Sequence, residues 1–211
     1  MPVDLARLAD PSRTAVIVLE MQNGLAGEQA GDSPIAQAVA EQGIVKRCVD
    51  LLGSARLAGA RVVHCIKTER ADGLGTKSNA PMWRRRARDG FTPLVPGSPA
   101  AAILAELGPE DGDLIVPRSR GVTAFGGTEL DPLLRNLGIE SVALCGISVN
   151  VGVIAAAADA VSCGYEVIVV RDAVAGAPWG YVEDVLNYSL APLATLAEAA
   201  SLRAVWGKPR T

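Results

Sequence analysis

The sequence predicts a three-layer α/β fold, with helices on both faces of a mainly parallel, six-stranded sheet. Short, continuous, β-branched apolar runs alternate with stretches of helical period, the pattern of βαβ crossovers. Aromatic residues make up only 4% of the chain, so alanine, valine and leucine must fill the interior, which suits helices lying close on both faces of a buried sheet. The 211 residues suffice for one large domain with a sizeable core, and no internal repeat or low-complexity linker divides them. Residues 1–211 are therefore read as a single domain.

The elements follow in order. Thr14 to Leu19 (TAVIVL) is a buried strand, and Ile35 to Ala58 carries helical periodicity through Ile44, Val45, Val49, Leu51, Leu52 and Leu57. Arg61 to Ile66 is the second strand. Residues 67–99 are rich in Gly, Pro, Arg and Asn without a core period, too long for an ordinary connection, and are expected to form a lid or active-site loop. A short helix is expected at Ala100 to Leu107 and a third strand at Asp113 to Val116. After that come a helix at Glu129 to Leu137, a strand at Ser141 to Gly146 and a helix at Val153 to Cys163. A strand at Glu166 to Val170, a helix at Tyr181 to Leu190, a short strand at Ala194 to Leu196 and a terminal helix complete the chain.

Composition narrows the function. A formal net charge of −3 argues against a general nucleic-acid surface, and the run Arg84-Arg85-Arg86-Ala87-Arg88 is too short to reverse that. No stretch pairs a charged n-region with an apolar h-region, and none approaches the roughly 20 apolar residues of a membrane span. A cytoplasmic protein with neither nucleic-acid nor membrane partner is expected. The four cysteines, Cys48, Cys65, Cys145 and Cys163, lack CxxC spacing and sit among apolar residues, as buried thiols in a reducing compartment would.

The most informative segment is Gly146-Ile147-Ser148-Val149-Asn150-Val151-Gly152-Val153, after the apolar run Val142-Ala143-Leu144-Cys145. It reads as a buried strand, a tight turn and a helix N-terminus, where open α/β sheets place their active sites. Three stretches resemble the isochorismatase-like cysteine hydrolases: Val16 to Asn23 (VIVLEMQN), Arg118 to Leu130 (RSRGVTAFGGTEL), and Gly146 to Ala160 with the following Gly164-Tyr165-Glu166-Val167 and Arg171-Asp172-Ala173. The resemblance spans most of the chain and implies that family's Rossmann-like fold.

The family's catalytic triad is an aspartate, a lysine and a cysteine at three strand ends. Here the aspartate position holds Glu20, the lysine position falls at Arg118 or Ser119, and the cysteine position holds Gly152. A glycine cannot furnish a thiolate nucleophile, and the pattern puts Cys145 inside the preceding strand. Family members that resemble this chain in having glycine there protonate an enol ether and let water add, a route that needs one carboxylic acid and no nucleophile. The resemblance therefore implies a hydrolase for a small anionic metabolite (vinyl ether, amide or ester), using acid/base chemistry without a covalent cysteine intermediate. The alternative is an inactive member that binds a metabolite or serves as an oligomer partner.

Glu20 and Arg118 are the candidate catalytic residues, with Gln22, Arg120, Phe125, Ile147, Ser148, Asn150 and Gly152 as candidate substrate contacts. A carboxylate ending an apolar strand is either a site residue or the structural partner of an arginine. Arg118, always charged, either clamps a carboxylate, neutralises Glu20 or forms a rim salt bridge, and Arg120 has the same readings. Gly152 either makes room for substrate or satisfies turn sterics, and the amides around it could take an anion. Asn150 either holds the turn, whose Ile147-Ser148 bond matches the family's cis peptide, or caps a helix. The only histidine, His64, reads as a core residue and leaves the zinc site of the family's nicotinamidases without enough matching ligands. No metal or cofactor is expected, and a homo-oligomer is, as in relatives. Trp83 and the basic run after it are either a binding contact or a solvated helix face.

Overall fold

The computed structural model describes residues 4–76 and 79–207. Its centre is β1 (Thr14–Leu19), where all six residues are buried because both sheet faces are covered. Period-two alternation sends Val16 and Val18 to one core and Ala15, Ile17 and Leu19 to the other. On the first face lie α4 (Ile44–Ala58) and α9 (Ala199–Trp206), which bring Leu51, Leu52 and Leu202 to the sheet. On the second lie α6 (Leu130–Asn136) and α7 (Ile154–Ser162), whose alanines Ala156, Ala157 and Ala160 allow close approach.

The sheet has six strands in the order β3-β2-β1-β4-β5-β6, with every neighbouring pair parallel. The remaining strands are β2 (Arg61–Lys67), β3 (Leu114–Arg118), β4 (Ser141–Ile147), β5 (Glu166–Ala175) and β6 (Thr195–Ala197). From β1 the chain steps outward to β2 and β3, then crosses back to β4 on the other side. That reversal opens a crevice at the C-terminal ends of β1 and β4.

The α/β class and the parallel sheet agree with the sequence expectation. Four elements differ in detail. The single helix expected from Ile35 to Ala58 is two, α3 (Pro34–Glu41) and α4, because Gly43 takes a left-handed φ of 64° between them. The helix expected at Ala100 to Leu107 is replaced by turns and a 3₁₀ turn at Ala105–Leu107. The carbonyls of Ala100 and Ala102 accept from the N–H groups of Gly24 and Asn23, and Leu104 N–H donates to Met21. The segment thus serves the loop after β1 and short α2 (Asn23–Ala26) rather than its own helix. β5 runs five residues beyond the expected Val170, to Ala175. The helix expected from Tyr181 starts as 3₁₀ (Trp179–Tyr181), passes through α8 (Val182–Asp184) and widens to a π-helix at Val185–Leu190.

Of the 67–99 region, Lys67 closes β2 and residues 81–88 form α5 (Pro81–Arg88), while residues 77–78 lie outside the described residues. Short α1 (Leu5–Leu8) precedes β1. Among the described residues, no helix is long and apolar enough to cross a membrane.

Candidate functional site

A cleft of about 800 Å³ opens over the C-terminal ends of the central strands. Glu20, Lys67, Arg118 and the turn Ile147-Ser148 form its floor, and α5 supplies a wall through Met82, Trp83, Arg85 and Arg86.

Glu20 follows β1 directly and is the one described non-glycine residue with positive φ, at 53°. Its N–H donates to Cys65 O at 2.9 Å, and its carbonyl accepts from Gln22 N–H at 2.8 Å. This sharp turn directs the carboxylate into the cleft, in a backbone region that side chains other than glycine enter at a cost. The carboxylate pairs with Arg118, the last residue of β3, whose guanidinium is 6% exposed. Arg118 also donates to the carbonyls of Arg120 and Gly121, so its fork is occupied by the protein itself. Of the two candidates for the lysine position, Arg118 meets Glu20, while Ser119 is exposed on a different surface hollow.

The residue that sequence reasoning missed is Lys67. It ends β2 directly opposite Arg118 in the parallel register. Its ammonium is 7% exposed, 2.9 Å from Glu69 Oε1 and 4.2 Å from the centroid of the Trp83 ring. Burial, then the nearby charge of Arg86, brings it down to about 8, against the opposing pull of Glu69. The other carboxylate oxygen of Glu69 takes Arg86 at 3.0 Å and Leu94 N–H at 3.1 Å. Arg86 in turn stacks over Phe91 at 3.6 Å. A signal was present in the sequence: a lysine at the C-terminal end of a mainly apolar strand, close to the kind of position that made Glu20 a candidate.

Gly152 lines the cleft with ordinary φ, and a Cβ there would meet Ile147 O at 3.3 Å. No left-handed φ demands glycine at this point, but the tight approach to the Ile147 carbonyl favours it, and its missing side chain also leaves space in the cleft. The Ile147-Ser148 peptide is cis. The first turn after it is a π-helix, Val149–Val153, in which the N–H groups of Val151 and Val153 donate back to Ser148 O at 3.1 and 3.0 Å. Those two amides are therefore committed within the turn instead of facing an anion. Asn150 donates to Ala177 O at 3.2 Å, holding the turn to the loop after β5, and its Oδ1 has no hydrogen-bond partner among the described residues.

Three of the expected substrate contacts lie outside the cleft wall. Gln22 is fully buried; its amide donates to Lys67 O and Ala101 O at 2.9 and 2.8 Å and accepts from Lys67 N–H at 2.7 Å. It fastens the loop after β1 to the end of β2, so its contribution is scaffolding. Phe125 packs in the core, 6.0 Å from the Tyr165 ring. Arg120 is exposed, beside Gly127.

None of the four cysteines lines the main cleft. Cys65 borders a recess of about 10 Å³ beneath Glu20 and Arg118, and burial pushes its thiol up to about 12. His64 is buried on β2 with Nε2 3.2 Å from Asp113, which also holds Arg56 at 2.6 Å. Burial first of all lowers its pKa, so it sits as a neutral core residue away from the cleft. Among the described residues, no group of three His, Cys, Asp or Glu side chains is placed to hold a metal ion.

Known proteins share this architecture and part of the sequence. Residues 14–201 match the family model described as the isochorismatase domain. Ureidoacrylate amidohydrolase RutB of Rhizobium rhizogenes is 33% identical over 175 residues, covering 77% of this chain and 70% of that protein. The crystal structure of an isochorismatase family protein from Desulfovibrio vulgaris superposes with a TM-score of 0.79 at 29% identity, covering 93% of this chain and 99% of that one. That of a cysteine hydrolase from Pseudomonas syringae pv. phaseolicola gives 0.78 at 25%, covering 98% and 95%. A central parallel sheet with its cleft at the β1 and β4 ends, and a domain match over most of the chain, lead to one conclusion: this protein belongs to the isochorismatase family.

Proposed function

We propose that this protein hydrolyses an amide or ester bond in a small anionic metabolite, with water as the nucleophile and Glu20 as the base. The observation that carries this is the Glu20–Arg118 pair in the floor of an open cleft. An ion-paired carboxylate is the form that accepts a proton. Glu20 would take one from water, the oxygen would attack the carbonyl carbon, and the proton would pass to the leaving nitrogen or oxygen as its bond to carbon breaks. The products are a carboxylic acid, which ionises and gives its proton to the amine or to solvent, and the amine or alcohol, with atoms balanced by one water.

The ion pair favours this over the vinyl-ether route implied by the family's glycine-bearing members, which needs the protonated acid. The amidohydrolase activity named for the Rhizobium relative supports the amide class. The resemblance puts Gly152 at the cysteine's place, which on that reading has no sulfur, and the buried Cys65 thiol, pushed up to about 12 by burial, does not replace it.

A non-catalytic binding role is the second reading, favoured by one feature: the same pairing that readies Glu20 also ties it to Arg118. The test is a panel of small amides, esters and vinyl ethers bearing a carboxylate, incubated with purified wild type and Glu20→Gln. Turnover that disappears in the variant supports the hydrolytic reading. If no compound of the panel is turned over while one still raises the melting temperature, the binding role replaces it.

A further inference from the structure

The charges of the cleft do not balance in one corner. Glu20 answers Arg118, one for one. Glu69 answers two cations at once, Lys67 through Oε1 and Arg86 through Oε2. Lys67 is 7% and Arg86 16% exposed, so solvent does little to neutralise the excess. Both cations line the cleft, and each lies against an aromatic face, Trp83 or Phe91, which fixes its position. Arg118, for which an anion clamp was one of the readings open from sequence, spends donors on Glu20, Arg120 and Gly121.

We propose that Lys67 and Arg86, held side by side by Glu69, form the subsite that takes the negative charge of a small monocarboxylate, leaving Glu20 and Arg118 to the bond being cut. This rests on the hydrolytic reading only for the identity of the second half of the cleft. One unit of surplus charge matches one carboxylate. The subsite also joins the sheet to the wall helix, since Lys67 ends β2 while Trp83 and Arg86 belong to α5. A bound carboxylate would therefore draw α5 onto the sheet.

The other charged groups around it are Glu20 and Arg118 on the floor, Arg85 on α5, and Asp32 and Asp89 at the rim. Asp89 is paired with Arg88. Lys67 is the group that changes charge in the mildly alkaline range, since its ammonium is brought down to about 8. The subsite holds its full charge below that value and loses one unit as pH rises through it.

The experiment is titration calorimetry of the full chain with sodium propionate, and with neutral propionamide as control, at about pH 6.5 and about pH 9.5, where propionate is ionised throughout. Propionate should bind at the lower pH, propionamide at least about tenfold more weakly, and propionate affinity should fall about tenfold or more at the higher pH, following the loss of one titrating charge. Lys67→Met should lose about tenfold at the lower pH and become insensitive to pH; Lys67→Arg, whose charge does not titrate, should keep its affinity at the higher one. The proposal is overturned if propionate does not bind, if its affinity ignores pH in the wild type, or if Lys67→Met binds as the wild type does. Should Lys67→Met not fold, Lys67→Arg decides alone: affinity still falling at the higher pH overturns the assignment. Binding with this profile but without turnover of any substrate would remove the hydrolytic reading and leave the subsite standing. Turnover with KM unchanged in the Lys67 variants would do the reverse.

Discussion

Lys67 and Arg118 stand opposite each other at the C-terminal ends of neighbouring parallel strands, both buried, each bound to a different carboxylate. Two like charges at adjacent register positions would repel strongly in a half-buried cleft if both were bare. Glu69 and Glu20 separate them into two units, one leaning toward the wall helix and one toward β1.

The Glu20 unit gives the first prediction. Glu20→Gln keeps the shape and a hydrogen-bond acceptor for Arg118 but removes proton transfer. Turnover should fall by about 10²–10⁴, with little change in KM. Steady-state kinetics on whichever substrate of the panel is cleaved will check it; wild-type rates in the variant would refute the role of base.

Arg118→Ala should act mainly on kcat. Of the readings open from sequence, the carboxylate clamp would instead cost substrate binding, but the guanidinium holds Glu20 and two backbone carbonyls. Removing it frees Glu20 to rotate and leaves those carbonyls without their donor. A raised KM with kcat intact would return Arg118 to the clamp role.

Iodoacetamide should leave turnover of the folded protein unchanged. Cys48, Cys65 and Cys145 are buried, Cys65 is pushed up to about 12 by burial, and Cys145 is raised by its contact with Cys48 and by burial. Mass spectrometry should find only Cys163, the half-buried thiol after α7, labelled under native conditions.

Lys67 also sets a direction for stability against pH. Its ammonium ionises more easily when folded than when unfolded, where the ordinary value is 10.5. Between about 8 and 10.5 the unfolded chain holds more protons, so this residue's contribution to stability rises with pH over that window. Urea midpoints across the range should show the rise relative to Lys67→Met, from which it should be missing.

Gln22→Leu should destabilise the fold by about 2–4 kcal/mol, since it orphans the N–H and carbonyl of Lys67 and the carbonyl of Ala101 in a fully buried place. Chemical denaturation measures it directly. A cost below about 0.5 kcal/mol, the range of a neutral surface change, would contradict the scaffolding role.

What the sequence made legible follows local physics. β1 and β4 announce themselves as apolar runs because both of their faces are buried. Glu20 stood out because a charge at the end of such a run demands a partner. The helix expected from Ala100 to Leu107 failed because its carbonyls go to Asn23 and Gly24, a pairing across more than seventy residues that no local pattern encodes. Gln22 and Phe125 were placed in the cleft on motif proximity, whereas only the fold reveals that their side chains turn into the interior. Lys67 went unnoticed for the converse reason. Its meaning depends on Trp83 and Arg86 arriving from a helix within a region whose lack of a core period gave no sign of where it would pack.

Gly146 sits where β4 presses against β1, with a φ of 99° and Leu19 O only 2.3 Å from where a Cβ would be. No side chain fits there without parting the two strands that carry Glu20 and the Ile147-Ser148 turn. The floor of the cleft is thus fixed by contact between main chains, and sequence drift at this seam is closed to the protein. The wall is another matter: among the described residues α5 is held through side chains, Trp83 against Lys67 and Arg86 to Glu69, replaceable one at a time. Divergence among proteins built this way should therefore accumulate in the wall, while the floor that carries Glu20 and the Ile147-Ser148 turn stays put.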